Sequence, residues 1–270
     1  ATSSAATPAS ALAFRHAPPG DDNFAVADGA ADISGPNGFF RRARLFETVS
    51  AQAVHGGHDT AILRDSPGND TFVSRFNVSF ITGGGFLTEA VGFERVSGQS
   101  TKGGVDQAFL YDSPGDDVFT GTPLTANITS TGLYREAVGF DVVAARKQLG
   151  GNDSAVLFDS AGNDTFAVQT SAVGVTQFAG PGFFIETLNF ANVTARSTAG
   201  GTDRAFFTDA PGPDTFFGRG LDARLTSGAS VFLATQFKRV TVNSRRGGAN
   251  RLDIAGLAYA FAQTGTWTVN

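Results

Sequence analysis

Residues 103–119 read GGVDQAFLYDSPGDDVF, and this stretch decides the fold because its pattern recurs at 56–72, 150–166 and 200–216. Each copy holds a glycine pair, an aspartate, an Ala-x-apolar step and a turn flanked by aspartates, followed by a phenylalanine. Small or apolar side chains at alternate positions are typical of a strand with one buried face. The stretch therefore predicts strands joined by tight turns.

Two independent markers give the same repeat length. The glycine pairs begin at 56, 103, 150, 200 and 247, so they are 47, 47, 50 and 47 residues apart. The phenylalanine of a Phe-x-x-Val motif falls at 46, 93, 140, 190 and 237 and gives the same four steps. The shared insertion of three residues, between Phe166 and Gly182, indicates structural repeats. We expect about five units of 47 residues.

The repeats predict three segments. Residues 13–248 form a repeat domain with a half unit and four full units. Residues 1–12 are rich in Ala, Ser and Thr and are predicted to be loosely ordered or to act as a pairing strand. Residues 249–270 lack the aspartate turn, and we expect a C-terminal cap or a pairing segment there, because terminal repeats are usually atypical.

Two all-β architectures fit this repeat. A parallel β-solenoid (β-helix) stacks its units, whereas a five-bladed β-propeller arranges them in a ring. The recurring small inward position favours the solenoid, with like residues forming ladders on neighbouring rungs. Whether one unit supplies one coil or two stays open. The ladder is predicted to contain Ala61, Ala108, Ala155 and Ala205.

The composition narrows the location and the partners. The net charge of −5 argues against nucleic acid and anionic membranes as partners. No apolar run is long enough to enter and cross a bilayer. The start Ala1-Thr2-Ser3-Ser4, without methionine, is expected after removal of a signal peptide, so we predict a secreted or surface location. The chain has no cysteine, so disulfides are excluded.

Carboxylates recur at fixed places in every full unit, which makes them candidate metal ligands. Calcium prefers hard oxygen ligands, and here it would be a structural ion. Aspartates beside a Pro-Gly turn also cap turns by accepting backbone N–H bonds, so both roles stay open. The candidate ligands are Asp59, Asp65, Asp70, Asp106, Asp112, Asp117, Asp153, Asp159, Asp164, Asp203, Asp209 and Asp214.

The pieces Gly68-Asn69-Asp70-Thr71-Phe72 and Gly162-Asn163-Asp164-Thr165-Phe166 resemble the calcium-binding β-roll repeats of the RTX, or hemolysin-type, family. That resemblance implies calcium between stacked turns. The sequence departs from the family, because Asp59 and Asp70 are 11 residues apart instead of nine. The whole unit, over residues 14–250, also resembles repeat arrays of large surface proteins from planctomycete-type bacteria, which implies a surface location.

Three functions remain open. The first is a structural or surface protein, such as a matrix, sheath or filament subunit, which joins head to tail with other copies or binds other surface components. The second is an adhesin or carbohydrate-binding module with contacts in 74–84, 121–131, 168–181 and 218–230. The third is a polysaccharide-active β-helix enzyme. Because the carboxylate pairs are copies of one turn and not a unique pair, we predict no enzyme.

Overall fold

The computed structural model describes residues 12–14 (backbone only), 17–27, 30–170 and 174–269. The fold is a parallel β-solenoid and not a propeller, which confirms the predicted class. The chain divides into two compact units, unit 1 with residues 1–110 and 131–140 and unit 2 with residues 111–130 and 141–270. The predicted N-terminal segment 1–12 lies, except for Leu12, outside the described residues.

The strands are short because a turn follows every four to seven residues in most of the chain. One 3-10 turn, η1, covers Pro36–Gly38. The strands β1 to β14 are Leu12–Phe14, Asn23–Ala27, Ala30–Ser34, Phe40–Arg44, Thr48–Gln52, Thr60–Arg64, Asp70–Ser74, Val78–Gly83, Phe86–Val91, Arg95–Gln99, Gln107–Tyr111, Val118–Gly121, Thr125–Ser130 and Leu133–Val138. The strands β15 to β28 are Val142–Arg146, Ser154–Phe158, Thr165–Thr170, Gly174–Gly180, Phe183–Leu188, Asn192–Arg196, Arg204–Thr208, Asp214–Gly220, Asp222–Ser227, Ser230–Thr235, Arg239–Asn243, Arg251–Leu257, Ala260–Thr264 and Thr268–Val269.

In unit 1 the strands lie in two sheets. One, here called the β7 sheet, has the order β1-β5-β9-β8-β7-β11, and the other, the β6 sheet, has the order β14-β10-β6-β2-β3-β4. Single strands pair in parallel, as β10 does with β6 and β14. The antiparallel meanders β2-β3-β4 and β7-β8-β9 each add three rungs. The chain therefore alternates between single passes and meanders.

Unit 2 follows the same plan. Its β17 sheet has the order β15-β19-β18-β17-β21-β25-β27, and its β16 sheet has the order β13-β12-β16-β20-β24-β23-β22-β26-β28. The meanders are β17-β18-β19 and β22-β23-β24. The last 20 residues continue both sheets, because β26 pairs with β22 and β27 pairs with β25.

One repeat makes three passes between the sheets, which is one and a half revolutions. The repeat that begins at Gly56 passes through β6, then the β7-β8-β9 meander on the opposite sheet, then β10. The next repeat begins at Gly103, and its first strand, β11, lies on the sheet opposite to β6. Neither one coil nor two coils per repeat describes this winding. Like positions of successive repeats therefore lie on opposite sheets.

The predicted ladder of like alanines is wrong for this reason. Ala61 is paired with Phe24 on one side and Val96 on the other, and Ala108 is paired with Phe72. Unit 2 repeats the pattern, with Ala155 between Phe119 and Val193 and Ala205 between Phe166 and Val240. A small side chain stands between two larger ones on the rows of Ala61, Ala155 and Ala205. The sequence period of 47 residues is not the pairing period.

The core consists of the inward residues of the facing sheets. A phenylalanine near the start of a meander contacts the phenylalanine of the Phe-x-x-Val motif in the next repeat. The centroid distances are 6.1 Å for Phe24–Phe93 and 5.9 Å for Phe72–Phe140 in unit 1, and 6.2 Å for both Phe119–Phe190 and Phe166–Phe237 in unit 2. Such ring contacts stabilise a core beyond the area that they bury.

Candidate functional site

The recurring polar residues meet where two turns stack. The aspartate turn of one repeat lies against the glycine-pair turn of the next repeat, and we call each such pair of turns a turn clamp. In the clamp of 65–70 with 100–106, the Gly68 N–H donates to Gly103 O at 3.1 Å, and in that of 17–22 with 53–59 the Gly20 N–H donates to Gly56 O at 2.9 Å. Unit 2 holds three more clamps, formed by 112–117 with 147–153, 159–164 with 197–203 and 209–214 with 244–250.

The second glycine of each pair is required by this close approach. A Cβ on Gly104 would lie 2.1 Å from Gly68 O, and Gly104 has φ +128. The first glycine, Gly103, has φ +78 and open space around its Cβ position. The pair Gly103-Gly104 therefore needs its second glycine for the contact and its first glycine for the backbone conformation. Gly57, Gly151, Gly201 and Gly248 show the same close contact with a turn carbonyl.

In four of the five turn clamps the first residue of the aspartate turn is an aspartate that binds the backbone of the stacked turn, and in the clamp of 17–22 this residue is Ala17. The Thr101 and Lys102 N–H groups donate to Asp65 Oδ2 at 2.7 and 2.6 Å. In unit 2 the N–H groups of Gln148 and Leu149 donate to Asp112 at 2.9 and 2.7 Å. Asp159 and Asp209 accept equivalent bonds from Ala199 and from Arg245 and Arg246.

The last aspartate of the turn closes its own loop and continues the chain of bonds. Asp70 accepts from the Ser66 N–H at 3.1 Å and from the Ser66 hydroxyl. Its own N–H donates to Asp106 Oδ1 at 2.7 Å. Asp106 also accepts from the Ser100 hydroxyl at 2.6 Å. The same N–H to carboxylate bond joins Asp22 to Asp59, Asp117 to Asp153 and Asp164 to Asp203.

All twelve predicted ligands thus lie in turn clamps, and each is at most 5% exposed. Sequence reasoning missed a further acceptor, the residue just before the last aspartate of the turn. Asn69 Oδ1 accepts from the Val105 N–H at 2.9 Å, and Asn163 Oδ1 accepts from the Thr202 N–H at 2.7 Å. Asp21 and Asp116 do the same. The recurrence of Asn or Asp before that aspartate was the available signal.

The clamps concentrate negative charge away from water. Burial raises the pKa of Asp70, and the carboxylates of Asp106 and Asp65 raise it further, while the Ser66 donors lower it. Burial is also the main cause of the raised pKa of Asp59, Asp112, Asp164 and Asp214. A buried carboxylate favours its neutral form unless donors or cations compensate. The backbone N–H donors supply part of that compensation.

Within the part of the chain that the structure describes, three carboxylates come together at one place. Oxygens of Asp65, Asp70 and Asp106 lie within 4.8 Å of one another. Each carboxylate already accepts hydrogen bonds, yet oxygens with further lone pairs are the donors that calcium takes, so these residues fit the ion in kind. In the corresponding clamps the Lys147 ammonium donates to Asp153 at 2.6 Å, and Asn250 accepts the N–H bond from Asp214. A cation and an amide there replace part of the negative charge.

Asp22 is the exception among the turn aspartates. It is 1% exposed, and neither carboxylate oxygen has a hydrogen-bond partner among the described residues. Pro18 stands where Ser66 stands in the next turn, and proline has no N–H to donate. Burial raises the pKa of Asp22, and the carboxylates of Asp59 and Asp21 add to the rise.

Comparison with known proteins adds no relative. Scans of family models, curated proteins and solved structures found no match to the chain. The resemblances to RTX repeats and to bacterial surface arrays therefore stay predictions. In the part of the chain that the structure describes, no helix has the length and apolar character to cross a membrane.

Proposed function

We propose that the chain is a structural module of a secreted or surface-displayed protein, a matrix, sheath or filament subunit that performs no catalysis. The support is the use of its recurring polar side chains. In the turn clamps the carboxylates accept backbone N–H bonds, such as Asp70 N–H to Asp106 and Thr101 N–H to Asp65. Groups engaged in this way hold turns together, which is the requirement of a scaffold.

Head-to-tail association with a second copy is part of this proposal, and the edge of β27 carries it. Among the described residues, no strand pairs with the outer edge of β27. The Ala260 N–H donates to Lys238 O, and Thr264 O accepts from the Ser244 N–H. Alternate residues of a parallel strand face the same neighbour, so the N–H and C=O groups of Phe261 and Gln263 lie on the outer edge.

The charges of the edge strands support the same contact. Exposed edges that must stay single usually carry Lys, Arg or Pro. β4, the last strand of the β6 sheet in unit 1, has Arg41, Arg42 and Arg44. β27 reads AFAQT, and β1, the last strand of the β7 sheet, reads LAF, so neither is charged. The uncharged edges are the ones suited to β-strand addition, β27 of one copy with β1 of the next.

Replacement of Gln263 tests this contact. Gln263→Pro removes an outward N–H without removing a bond to β25, so we expect shorter assemblies in sedimentation velocity and electron microscopy. Gln263→Thr keeps the N–H and is the matched control. A strictly monomeric wild-type chain at high protein concentration, with calcium present, would contradict the association.

A further inference from the structure

Unit 1 contains a pocket of about 360 Å³, partly open to solvent, beside the β2-β3 hairpin, and we call it the chamber. Its wall includes Val26, Ala31, Ala43, Phe46 and Val49. Arg64 and Lys102 also line it, together with the turn 65–67. The chamber is therefore mostly apolar, with basic side chains on one side.

The chamber exists because the residue at this position is the short Thr88, whereas the equivalent residues of later repeats are larger. In the next meander of unit 1, the buried Arg135 reaches from β14 to the β7-β8 hairpin, where its Nη2 donates to Phe76 O at 3.1 Å. Thr88 holds the equivalent position one repeat earlier, 47 residues before Arg135, and it lines the chamber. A threonine leaves most of the volume of an arginine open.

Unit 2 fills the equivalent places as well. Ile185, the counterpart of Thr88, lies 3.1 Å from where a Cβ on Gly121 would stand, beside the β12-β13 hairpin. Phe232, the next counterpart, lies 3.4 Å from the Cβ position of Gly174 at the β17-β18 hairpin. At the β22-β23 hairpin the Tyr259 hydroxyl donates to Asp222 O at 3.1 Å. Among the described residues of the β2-β3, β7-β8, β12-β13, β17-β18 and β22-β23 hairpins, it is the hairpin of the chamber that faces a short side chain.

The core around the chamber is incomplete in a second respect. Phe46 is only half-buried, whereas its counterparts Phe93 and Phe140 are 1% and 5% exposed. Protein interiors are close-packed, and the partly open chamber leaves apolar side chains in contact with water, which is unfavourable. At the position of Thr88 the other repeats have arginine, isoleucine and phenylalanine. An apolar ligand can therefore occupy the volume that these larger side chains fill in the other repeats.

The basic side of the chamber selects the sign of the ligand's polar group. Arg64 lines both the chamber and an adjoining groove that also contains Arg44, Arg42 and Asp32. Asp32 is engaged by the Arg42 guanidinium at 2.6 Å. The Asp65 carboxylate already accepts the N–H groups of the stacked turn. Of the charged residues that line the chamber and the groove, four are basic and two are acidic, so positive charge is in excess there, although the whole chain has a net charge of −5.

We propose that the chamber binds an aliphatic carboxylate, with its chain against Val26, Ala31, Ala43 and Val49 and its carboxylate on Arg64. A dry cavity of ~150 Å³ takes benzene, so one of more than twice that size takes a chain of about a dozen non-hydrogen atoms, such as decanoate. An Arg–carboxylate bond supplies orientation as well as affinity. This proposal does not depend on the structural role proposed above.

Isothermal titration calorimetry of the full chain with decanoate tests the proposal. We expect saturable binding of one decanoate per chain. Thr88→Ile, which copies Ile185, should fill the chamber, raise the thermal unfolding midpoint and abolish binding, while the matched control Thr88→Ser should bind as the wild type does. Arg64→Gln, a change of an outer side chain, should weaken decanoate at least tenfold and leave decanol unaffected.

Several results would overturn it. Absence of binding at millimolar decanoate in the wild type would do so, as would undiminished binding by Thr88→Ile with unchanged circular dichroism. Equal affinity of the wild type for decanoate and decylamine would remove the role of Arg64. If Thr88→Ile fails to fold, the Arg64→Gln titration decides alone, because retention of full decanoate affinity contradicts the proposal.

Discussion

At the scale of single residues, two glycines that look alike in the sequence have different tasks. Gly104 stands against the carbonyl of Gly68, and Gly103 stands in open space. This difference in surroundings cannot be predicted from the sequence, because it depends on which turn stacks on the glycine pair. The close contact recurs at the second glycine of all five pairs, whereas Gly150, the first glycine of its pair, does not have a positive φ.

The first prediction separates these two glycines. Gly104→Ala should lower the free energy of unfolding by about 3 kcal/mol or more, because it combines a backbone clash with a conformation that alanine rarely adopts. Gly103→Ala, the matched control, should cost about 1 kcal/mol, the price of a left-handed conformation alone. Urea unfolding measures both. Equal losses would contradict the stacking of the two turns.

The second prediction concerns the Asp22 carboxylate, which has no hydrogen-bond partner among the described residues. Pro18→Ser supplies the N–H and hydroxyl that Ser66 gives to Asp70, and a bond to a charged group is worth about 1.5–3 kcal/mol. Loss of proline rigidity offsets about 0.4–1 kcal/mol of that. We therefore expect a net gain of about 1 kcal/mol in urea unfolding. Pro19→Ser, at the position of Pro67, adds no such donor and should bring no gain.

Residue patterns predicted much of the site. The strand-turn-strand order follows from Asp, Pro and Gly chemistry at fixed spacing, and turn capping was one of the two roles that the sequence left open for the aspartates. The hydrogen-bond partners of the aspartates could not be predicted, because the Asp70 N–H donates to Asp106 of the next repeat, which lies 36 residues away. The signal for Asn69 was present and was read only as part of a turn.

At the scale of elements, the meander is the feature that the sequence concealed. Three strands such as β7-β8-β9 and one strand such as β10 both count as a single pass from sheet to sheet. The repeat length of 47 residues therefore says nothing by itself about revolutions. Alternating hydrophobicity predicted strands, and the recurring small inward position favoured the solenoid, but neither could show that Ala61 and Ala108 lie on opposite sheets.

The third prediction tests calcium at the turn clamp of 65–70 with 100–106. If Asp65, Asp70 and Asp106 hold the ion, calcium at 100 times its dissociation constant should add about 2.7 kcal/mol of stability. Asp106→Asn should remove this gain, because an amide keeps the N–H bond, as Asn250 does, but loses the charge. Asp203→Asn is the matched control. Thermal unfolding with calcium or chelator measures the effect, and no calcium response in the wild type contradicts the site.

At the scale of the whole molecule, the turns of both units contain buried aspartates with a raised pKa. Six aspartates have a raised pKa, with burial as the first cause: Asp22, Asp59, Asp70, Asp112, Asp164 and Asp214. An aspartate of this kind binds its proton more tightly in the folded chain than in the unfolded one. Its stabilising contribution is complete below the ordinary value of 3.8 and is lost as the pH rises through the folded pKa.

The fourth prediction follows from that sign. In chelator, the thermal unfolding midpoint should rise as the pH is lowered from 7 towards about 4, because these carboxyl groups become neutral in the fold first. Asp32, whose pKa is lowered by the Arg42 hydrogen bond, acts in the opposite direction from an exposed ion pair. A midpoint that falls steadily between pH 7 and pH 5 would contradict the account of the buried turns.

The central claim is that each repeat makes one and a half revolutions, so that neighbours in space are not equivalent residues of successive units. The chain has no cysteine, so engineered pairs report on neighbours directly. Thr60 and Arg95 are paired across β6 and β10, whereas Thr60 and Gln107 hold equivalent positions in successive repeats. Neighbouring strands are ~4.8 Å apart, within the range that a disulfide spans.

Oxidative cross-linking of two double variants is the most direct measurement. Thr60→Cys with Arg95→Cys should form an intramolecular disulfide in the folded chain, and Thr60→Cys with Gln107→Cys should not. The reverse result, cross-linking of residues 60 and 107 without cross-linking of 60 and 95, would contradict the winding and restore a ladder of like residues.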